Sequence, residues 1–138
     1  MKIIPISIAE VELVAFELAK ALLKYDEPIP DFSSRFPNIL ESCLATPFQE
    51  FGNKYLYEGL VRKAAVLFYL MIKNHPFKNG NKRIAMMAML YLLHKNEKWL
   101  EADNQVLYNF AKWVAASDSS VKDATTQAIE KFLGDHLA

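Results

Sequence analysis

Residues 75–83 are His75-Pro76-Phe77-Lys78-Asn79-Gly80-Asn81-Lys82-Arg83, and they lie between two strongly apolar segments, 64–72 and 84–93. Apolar residues with helical spacing fill both segments, which is typical of buried helices. Proline cannot continue the first of these helices, because it lacks the backbone N–H and clashes with the preceding turn. The second helix is expected to begin near Gly80 or Asn81. The sequence therefore predicts a polar loop between two buried helices.

Charge is distributed unevenly around this loop. The chain has 16 basic and 16 acidic residues, so its formal net charge is zero. Residues 59–96 contain no Asp or Glu and seven basic residues, which are Arg62, Lys63, Lys73, Lys78, Lys82, Arg83 and Lys95. We expect positive potential to be concentrated around the loop. A local patch of this kind favours a small anion, whereas general nucleic-acid binding needs a broad basic surface.

The loop combines phosphate-binding groups with one possible proton acceptor. A helix that begins near Asn81 points unpaired backbone N–H groups and the positive end of its dipole into the loop. Gly80 lets the backbone approach an anion, Lys82 adds a mobile charge, and the Arg83 guanidinium suits phosphate oxygens. His75 is the candidate general base, taking a proton from a hydroxyl that attacks phosphorus. Phe77 is expected to turn inward and anchor the loop.

The rest of the chain predicts an all-α helical bundle with a small β-hairpin, folded as one domain over residues 1–138. Helices are expected over about 7–25, 38–45, 57–72, 81–95, 104–116 and 120–136. Ser7 and Glu10 have the spacing of a capping box, and the proline-rich segment 26–37 is expected to be a loop. Gly52-Asn53 is the predicted hairpin turn.

Composition also indicates where the protein acts. Cys43 is the only cysteine, so no disulfide can form within the chain, which suits a reducing compartment. The N-terminal residues lack the long apolar region of a secretory signal. The longest apolar run, Ile84–Leu93, is about half of the length needed to cross a bilayer. We therefore expect a cytoplasmic protein that binds neither membrane nor nucleic acid.

Residues 75–83 resemble the Fic/Doc superfamily, and in particular its death-on-curing (Doc) branch. The Doc motif reads His-x-Phe-x-(Asp or Asn)-(Ala or Gly)-Asn-Lys-Arg, and every specified position matches. The resemblance extends through residues 40–52, Leu56-Tyr57 and 72–74, and it covers roughly residues 30–137. Many fixed positions at fixed spacing make this resemblance specific.

The resemblance implies an activity. Fic relatives transfer AMP from ATP to a protein hydroxyl, and they carry Gly where this chain has Lys82 and usually Arg where it has Met86. A bulky Lys82 would crowd the pocket for the inner phosphates. Doc-like proteins are understood to bind ATP reversed and to transfer its terminal phosphate to a hydroxyl of translation elongation factor Tu. The implied function is a kinase-type toxin that blocks translation and is inhibited by a separate small antitoxin protein.

The resemblance also implies roles for individual residues. His75 is the catalytic base, and Lys82 and Arg83 act on the transferred phosphate. The implied nucleotide site comprises Lys78, Asn79, Gly80, Asn81, Lys82 and Arg83. A flap, implied to dock the target as an added strand, comprises Phe48, Gln49, Glu50, Phe51, Gly52, Asn53 and Lys54. Asn79 stands where an acidic residue commonly binds Mg²⁺, and its amide oxygen is a poorer ligand.

Three alternatives stay open at this point. One is AMP transfer, as in Fic proteins, and another is a catalytically silent module that only docks a partner. Nucleic-acid binding through the basic patch is the least favoured. Some superfamily members inhibit themselves with a helix of the pattern Ser/Thr-x-x-x-Glu-Gly/Asn. Thr126 and Glu130 match its first part but Lys131 departs from it, so we expect an ordinary solvated helix face there.

Overall fold

The computed structural model describes residues 2–24 and 28–138, and helices dominate it. Helix α1 consists of three consecutive segments, Ile8–Glu10, the π-helical Val11–Phe16, and Glu17–Leu22. The later helices are α2 (Pro37–Ala45), α3 (Leu60–Lys73), α4 (Asn81–Lys95), α5 (Asn104–Ala116) and α6 (Lys122–His136). Short 3-10 turns span Phe32–Ser34, Thr46–Phe48 and Ser119–Val121, and two strands, β1 (Glu50–Phe51) and β2 (Lys54–Tyr55), pair antiparallel. The predicted all-α bundle with a small hairpin is confirmed.

Helices α3 and α4 form the centre of the core. Every residue of α3 from Lys63 to Ile72 is buried, as the apolar run predicted. In α4 the buried stretch runs from Arg83 to Met89 and resumes at Leu92. Helix α3 packs against α4, α5 and α6, and α4 also packs against α1. The loop that joins α3 to α4 therefore has both of its ends fixed by the core.

The N-terminal residues are attached to the far end of α4. Ser7 and Glu10 form the predicted capping box, in which each side chain accepts a hydrogen bond from the backbone N–H of the other. Lys95 Nζ lies 2.7 and 2.8 Å from the two carboxylate oxygens of Glu10. Asn96 Oδ1 accepts a hydrogen bond of 2.7 Å from the backbone N–H of Ile4. These contacts close the bundle at the end opposite to the loop.

The hairpin follows the predicted turn. Gly52 and Asn53 both have positive φ, +58° and +68°, which a two-residue hairpin turn of type I′ requires. Leu56 N donates to Gln49 O at 3.0 Å and extends the pairing beyond the strands. Phe51 is 79% exposed. The hairpin therefore projects its tip into solvent, while Phe48 packs against the core.

Several predicted boundaries differ from the structure. Helix α1 ends at Leu22, and Tyr25, the predicted end, lies outside the described residues. The segment 26–37, predicted as a loop, contains the Phe32–Ser34 turn because the Phe32 ring is buried in the core; its residues 26 and 27 are not described. Helix α3 begins at Leu60 rather than at residue 57, since Gly59 has φ +84°. Within residues 2–24 and 28–138, no helix is both long and apolar enough to cross a bilayer.

Candidate active site

The α3–α4 loop is closed by the side chain of Asn81. Its Oδ1 accepts a hydrogen bond of 2.9 Å from the backbone N–H of Phe77, and its Nδ2 donates to Phe77 O at 2.8 Å. Asn81 is 8% exposed. Both polar groups of this amide are thus bonded inside the loop, so in this arrangement Asn81 holds the loop backbone in place. The phosphate contact predicted for its side chain stays a prediction.

His75 stands at the exit of α3 in an unusual backbone conformation. Its φ is +52°, in the left-handed region that residues other than glycine seldom adopt. The side chain is exposed to solvent. Backbone strain of this kind, about 1–2 kcal/mol, is often found at functional sites. The imidazole is therefore directed by a strained turn and is accessible to an incoming hydroxyl.

Asn81 also contacts the imidazole of His75. Its Nδ2 lies 3.4 Å from Nδ1 of His75. Because Oδ1 of Asn81 accepts from Phe77, the amide orientation is set and Nδ2 faces the ring as a donor. Nδ1 is the acceptor in this contact, so a neutral imidazole carries its proton on Nε2. The lone pair of Nδ1 is then directed at the Asn81 amide.

Phe77 anchors the loop, as predicted. It is 3% exposed, and its ring centroid lies 6.0 Å from that of Phe16 and 5.8 Å from that of Phe32. Pro76 O accepts a hydrogen bond of 2.8 Å from Phe36 N, just before α2. The loop is therefore packed against both α1 and the segment that leads into α2.

The N-terminus of α4 is available to an anion. Gly80 is its N-cap residue, with φ +81° and ψ +12°, and it makes no side-chain cap. Lys82 lies in the first turn and is partly exposed. Lys78 is exposed, and among the described residues neither Lys78 nor Lys82 has a hydrogen-bond or ion-pair partner. An uncapped helix N-terminus with two unpartnered lysines favours the binding of phosphate.

Arg83 occupies a buried position beside this N-terminus. It is 3% exposed, and it lines a cavity of about 250 Å³ together with Lys20, Lys24 and Ile29. Lys20 lies in the last turn of α1, and Lys24 follows the end of this helix at Leu22. Both add to the positive charge of the site. The sequence analysis did not include them, and their spacing of four residues within a segment predicted as a helix was the available signal.

The segment after residue 27 covers part of the loop. A Cβ atom added to Gly80 would lie 2.6 Å from Cγ1 of Ile29, which is too close for any side chain. Asn79 Nδ2 donates a hydrogen bond of 3.4 Å to Pro28 O. Gly80 is therefore required by packing as well as by its positive φ. Nothing in the local sequence of Ile29 indicated this contact, because the two residues are far apart in the chain.

Four of the seven basic residues between 59 and 96 do not face the loop, which corrects the predicted concentration of charge. Arg62 pairs with Glu130 at 3.4 Å, and Lys95 pairs with Glu10. Lys63 Nζ donates to Tyr57 O, and Lys73 Nζ donates to Ser117 O. Arg62 and Lys95 are therefore paired with carboxylates, Lys63 is buried, and Lys73 is bonded to the end of α5. The positive potential at the loop is supplied by Lys78, Lys82 and Arg83, together with Lys20 and Lys24.

A shallow cavity borders the exit of α3 on another side. It has a volume of about 360 Å³ and is lined by Asn38, Ile39, Ser42 and Asn74. Asn74 directly precedes His75 in the chain, but His75 is not among the residues that line the cavity. Its walls are partly apolar, because Ile39 is 36% exposed there.

The predicted magnesium ligand does not make a metal site on its own. Asn79 offers one neutral amide oxygen. Among the described residues, no group of three His, Cys, Asp or Glu side chains is placed to hold a metal ion. Mg²⁺ prefers six oxygen ligands and is usually bound through carboxylates and substrate phosphates. The residues present do not fit a resident magnesium ion.

Glu130 lies away from Arg83. Its carboxylate pairs with Arg62, and both side chains line a cavity of about 290 Å³ between α3 and α6. Arg83 lines a different cavity. Thr126 donates its hydroxyl to Lys122 O at 2.9 Å, as threonines on ordinary helix faces do. This arrangement agrees with the expected helix face.

Comparison with models of protein families identifies the family of this chain. The family model described as "Fic/DOC family" matches residues 9–93, which is more than half of the chain. This protein belongs to the Fic/DOC family. The match includes α1, the hairpin, α3 and the whole of residues 75–83, and so covers every element that builds the loop. Comparison with curated proteins and with solved structures gave no match.

Family membership gives the reaction class of this Fic/DOC protein. The family is generally one of transferases, and its members use ATP as a substrate to modify a protein with AMP or phosphate. The N-terminus of α4 has no side-chain cap, and Lys78 and Lys82 have no partner in the described part of the chain, which fits the phosphates of such a nucleotide. His75, exposed beside them, fits the hydroxyl of an acceptor.

Proposed function

We propose that this Fic/DOC protein is a Doc-type kinase that transfers the terminal phosphate of ATP to a Ser or Thr hydroxyl of a protein. The observation that carries the proposal is Lys82 in the first turn of α4, partly exposed and without a partner among the described residues. A lysine there occupies the space that a glycine would leave for the inner phosphates. It also supplies a charge suited to the phosphate that is transferred.

Met86 also supports phosphate transfer rather than AMP transfer. It is fully buried in α4, one turn after Lys82. The arginine that AMP-transferring relatives usually carry at this position is replaced by a side chain that cannot reach an anion. With a bulky residue at 82 and an apolar one at 86, the loop favours one terminal phosphate over the longer chain of inner phosphates.

In the proposed reaction, the imidazole of His75 takes the proton of the acceptor hydroxyl as its oxygen attacks the terminal phosphorus. The bond from that phosphorus to the bridging oxygen breaks, and ADP leaves. Lys82, Arg83 and the N-terminal amides of α4 stabilise the charge that develops on the phosphate oxygens. Mg²⁺, if used, arrives with the nucleotide.

By resemblance, the proposed acceptor is translation elongation factor Tu, and its phosphorylation would block translation. The flap formed by residues 48–54 would dock a segment of the acceptor as an added strand, since the two strands pair only with each other within the described residues. We further propose that the protein is the toxin of a toxin–antitoxin pair in the cytoplasm.

Two labelled forms of ATP test the proposed reaction. The protein is incubated with elongation factor Tu and with ATP labelled at either the gamma or the alpha phosphate. We expect label on the acceptor from gamma-labelled ATP alone, and a rate about 10²–10⁴-fold lower for His75→Ala. Label from alpha-labelled ATP would establish AMP transfer instead. Equal rates for the wild type and His75→Ala would contradict His75 as the base.

The same experiment addresses the catalytically silent module. Such a module would bind elongation factor Tu without transferring either label, and its affinity would not depend on ATP. Lys112→Met is the control variant, because Lys112 is an exposed lysine of α5 outside the proposed site. This control should retain the wild-type rate of transfer.

A further inference from the structure

Lys63 is a buried lysine that the proposed chemistry does not use. It lies one turn into α3, is 1% exposed, and donates from Nζ to the backbone oxygen of Tyr57. Its position is energetically costly, because a charge is removed from water near the positive end of a helix dipole. Burial lowers the pKa of Lys63, and the charge of Glu58 opposes this effect less strongly.

The ammonium group of Lys63 contacts the hairpin on both of its stems. Nζ lies 3.9 Å from the ring centroid of Tyr55, the last residue of β2, and 5.7 Å from that of Phe48, which precedes β1. Tyr57, whose carbonyl accepts the hydrogen bond, lies two residues after the end of β2. Cation–π contacts at such distances contribute roughly 0.5–2 kcal/mol each.

Few other contacts fix the hairpin to the helices. Strands β1 and β2 have two residues each, and both are exposed throughout. A two-stranded hairpin of this length is at best marginally stable alone in water. Lys63 therefore joins an exposed hairpin to the buried helix α3 through its Nζ atom.

We propose that Lys63 is a positioning residue that sets the orientation of the β1–β2 hairpin on α3 and thereby the docking of the protein acceptor. This inference rests on the proposed function only in assigning the hairpin to the acceptor. The lysine touches neither ATP nor the reacting atoms. Its loss should weaken acceptor binding and leave nucleotide binding unchanged.

Lys63→Met tests this role. Methionine keeps most of the length of the side chain and removes the charge. It leaves Tyr57 O without its donor, so the free energy of unfolding should fall by about 1–3 kcal/mol, and binding is measured where the variant is fully folded. We expect the dissociation constant for elongation factor Tu to rise about tenfold, as the loss of roughly 1.4 kcal/mol predicts. The KM for ATP and the rate of ATP hydrolysis without acceptor should not change. Lys112→Met, which removes an exposed lysine, should leave all three quantities at their wild-type values.

A double-mutant cycle with Tyr55→Leu separates positioning from general destabilisation. If Lys63 acts through the Tyr55 ring, the double variant should bind the acceptor no more weakly than the weaker single variant. Hydrogen exchange of the hairpin amides should be faster in both single variants. Additive effects on acceptor binding, or an unchanged hairpin exchange rate in Lys63→Met, would overturn the inference.

The outcomes also distinguish this inference from the proposed function. If wild-type protein binds elongation factor Tu but transfers no phosphate, the proposed function fails, and the binding measurements still decide the role of Lys63. If transfer occurs and Lys63→Met binds the acceptor as tightly as the wild type, the inference fails alone. If the wild type does not bind this acceptor at all, both are overturned.

Discussion

Two groups of basic residues in α3, α4 and their connecting loop differ in what surrounds them. Lys63 and Lys73 on α3 donate to backbone carbonyls, the first to Tyr57 and the second to Ser117 and Ala115. Lys78 and Lys82 at the loop are exposed or partly exposed, and neither has a partner among the described residues. The first group bonds α3 to the segment before it and to the end of α5, whereas the second is available to a ligand.

This difference shows how a cluster of charges in the sequence should be interpreted. A lysine whose ammonium group is bonded to carbonyl oxygens contributes little to binding an external anion, because those oxygens already screen its charge. The potential at the active site therefore depends on the partners of each basic residue more than on their number. In this Fic/DOC protein, Lys20 and Lys24 also contribute, since both share the cavity of Arg83.

The largest expected effect is a loss of activity on removing a charge from the loop. Lys82→Met should lower the rate of phosphate transfer about 100-fold, because one charged donor aimed at the transferred phosphate contributes roughly 3 kcal/mol to the transition state. The free energy of unfolding should change little, since Lys82 is partly exposed and has no partner in the described structure. Steady-state kinetics and urea unfolding of the same preparation measure both quantities.

Lys73→Met is the matched variant on α3. It should lower the free energy of unfolding by about 2 kcal/mol, because it leaves the carbonyls of Ser117 and Ala115 without their charged donor. The rate per folded molecule should stay close to that of the wild type. If Lys73→Met abolished transfer in fully folded protein, the division into structural and ligand-binding cations would be wrong.

The fold of this protein was predictable from the sequence because its signals are local. The apolar runs of α3 and α4, the Gly52-Asn53 turn and the capping box formed by Ser7 and Glu10 each depend on neighbouring residues. The position of the loop between two buried helices followed from the same runs. The predicted helix ends were less accurate. Tertiary contacts decide where α1 ends, and a glycine of positive φ decides where α3 begins.

The partners of the site residues were not predictable, because they come from remote parts of the chain. Ile29 lies against Gly80, although the two residues are about 50 positions apart in the chain. Ser117 accepts a hydrogen bond from Lys73, which is 44 positions away. No pattern in the sequence marks a backbone carbonyl as the acceptor of a particular lysine. The bonds of Asn81 within its own loop were not predicted either, since an amide that suits phosphate also suits a backbone.

A smaller effect is expected at the backbone of the loop. Gly80→Ala should lower the free energy of unfolding by about 2 kcal/mol, from the left-handed conformation and from the close approach of Ile29. The phosphate-binding amides would shift with it, so the KM for ATP should also rise. Ile29→Ala removes the three nearest atoms, and the double variant should be less destabilised than the sum of the single variants. Full additivity would contradict the contact between these residues.

The smallest expected effect concerns the paired charges at the far end of α4. Burial raises the pKa of Glu10, but hydrogen bonds from Lys95, from Ser7 N and from Tyr91, with the charge of Lys95, lower it to about 2 from 4.5. The folded state therefore binds its proton more weakly than the unfolded state. This stabilisation is fully present above about pH 4.5 and is lost as the pH falls toward 2.

Glu10→Gln should lower the free energy of unfolding at pH 7 by about 1 kcal/mol and flatten its decrease between pH 5 and pH 2. Glu12→Gln is the control, because Glu12 is an exposed carboxylate of the same helix. The rate of phosphate transfer should be unchanged in both variants, since Glu10 and Lys95 lie at the end of α4 opposite to the loop. A lower rate of phosphate transfer in Glu10→Gln would place Lys95 among the ligand-binding cations. The distinction between lysines bonded within the protein and lysines available to a ligand would then be wrong.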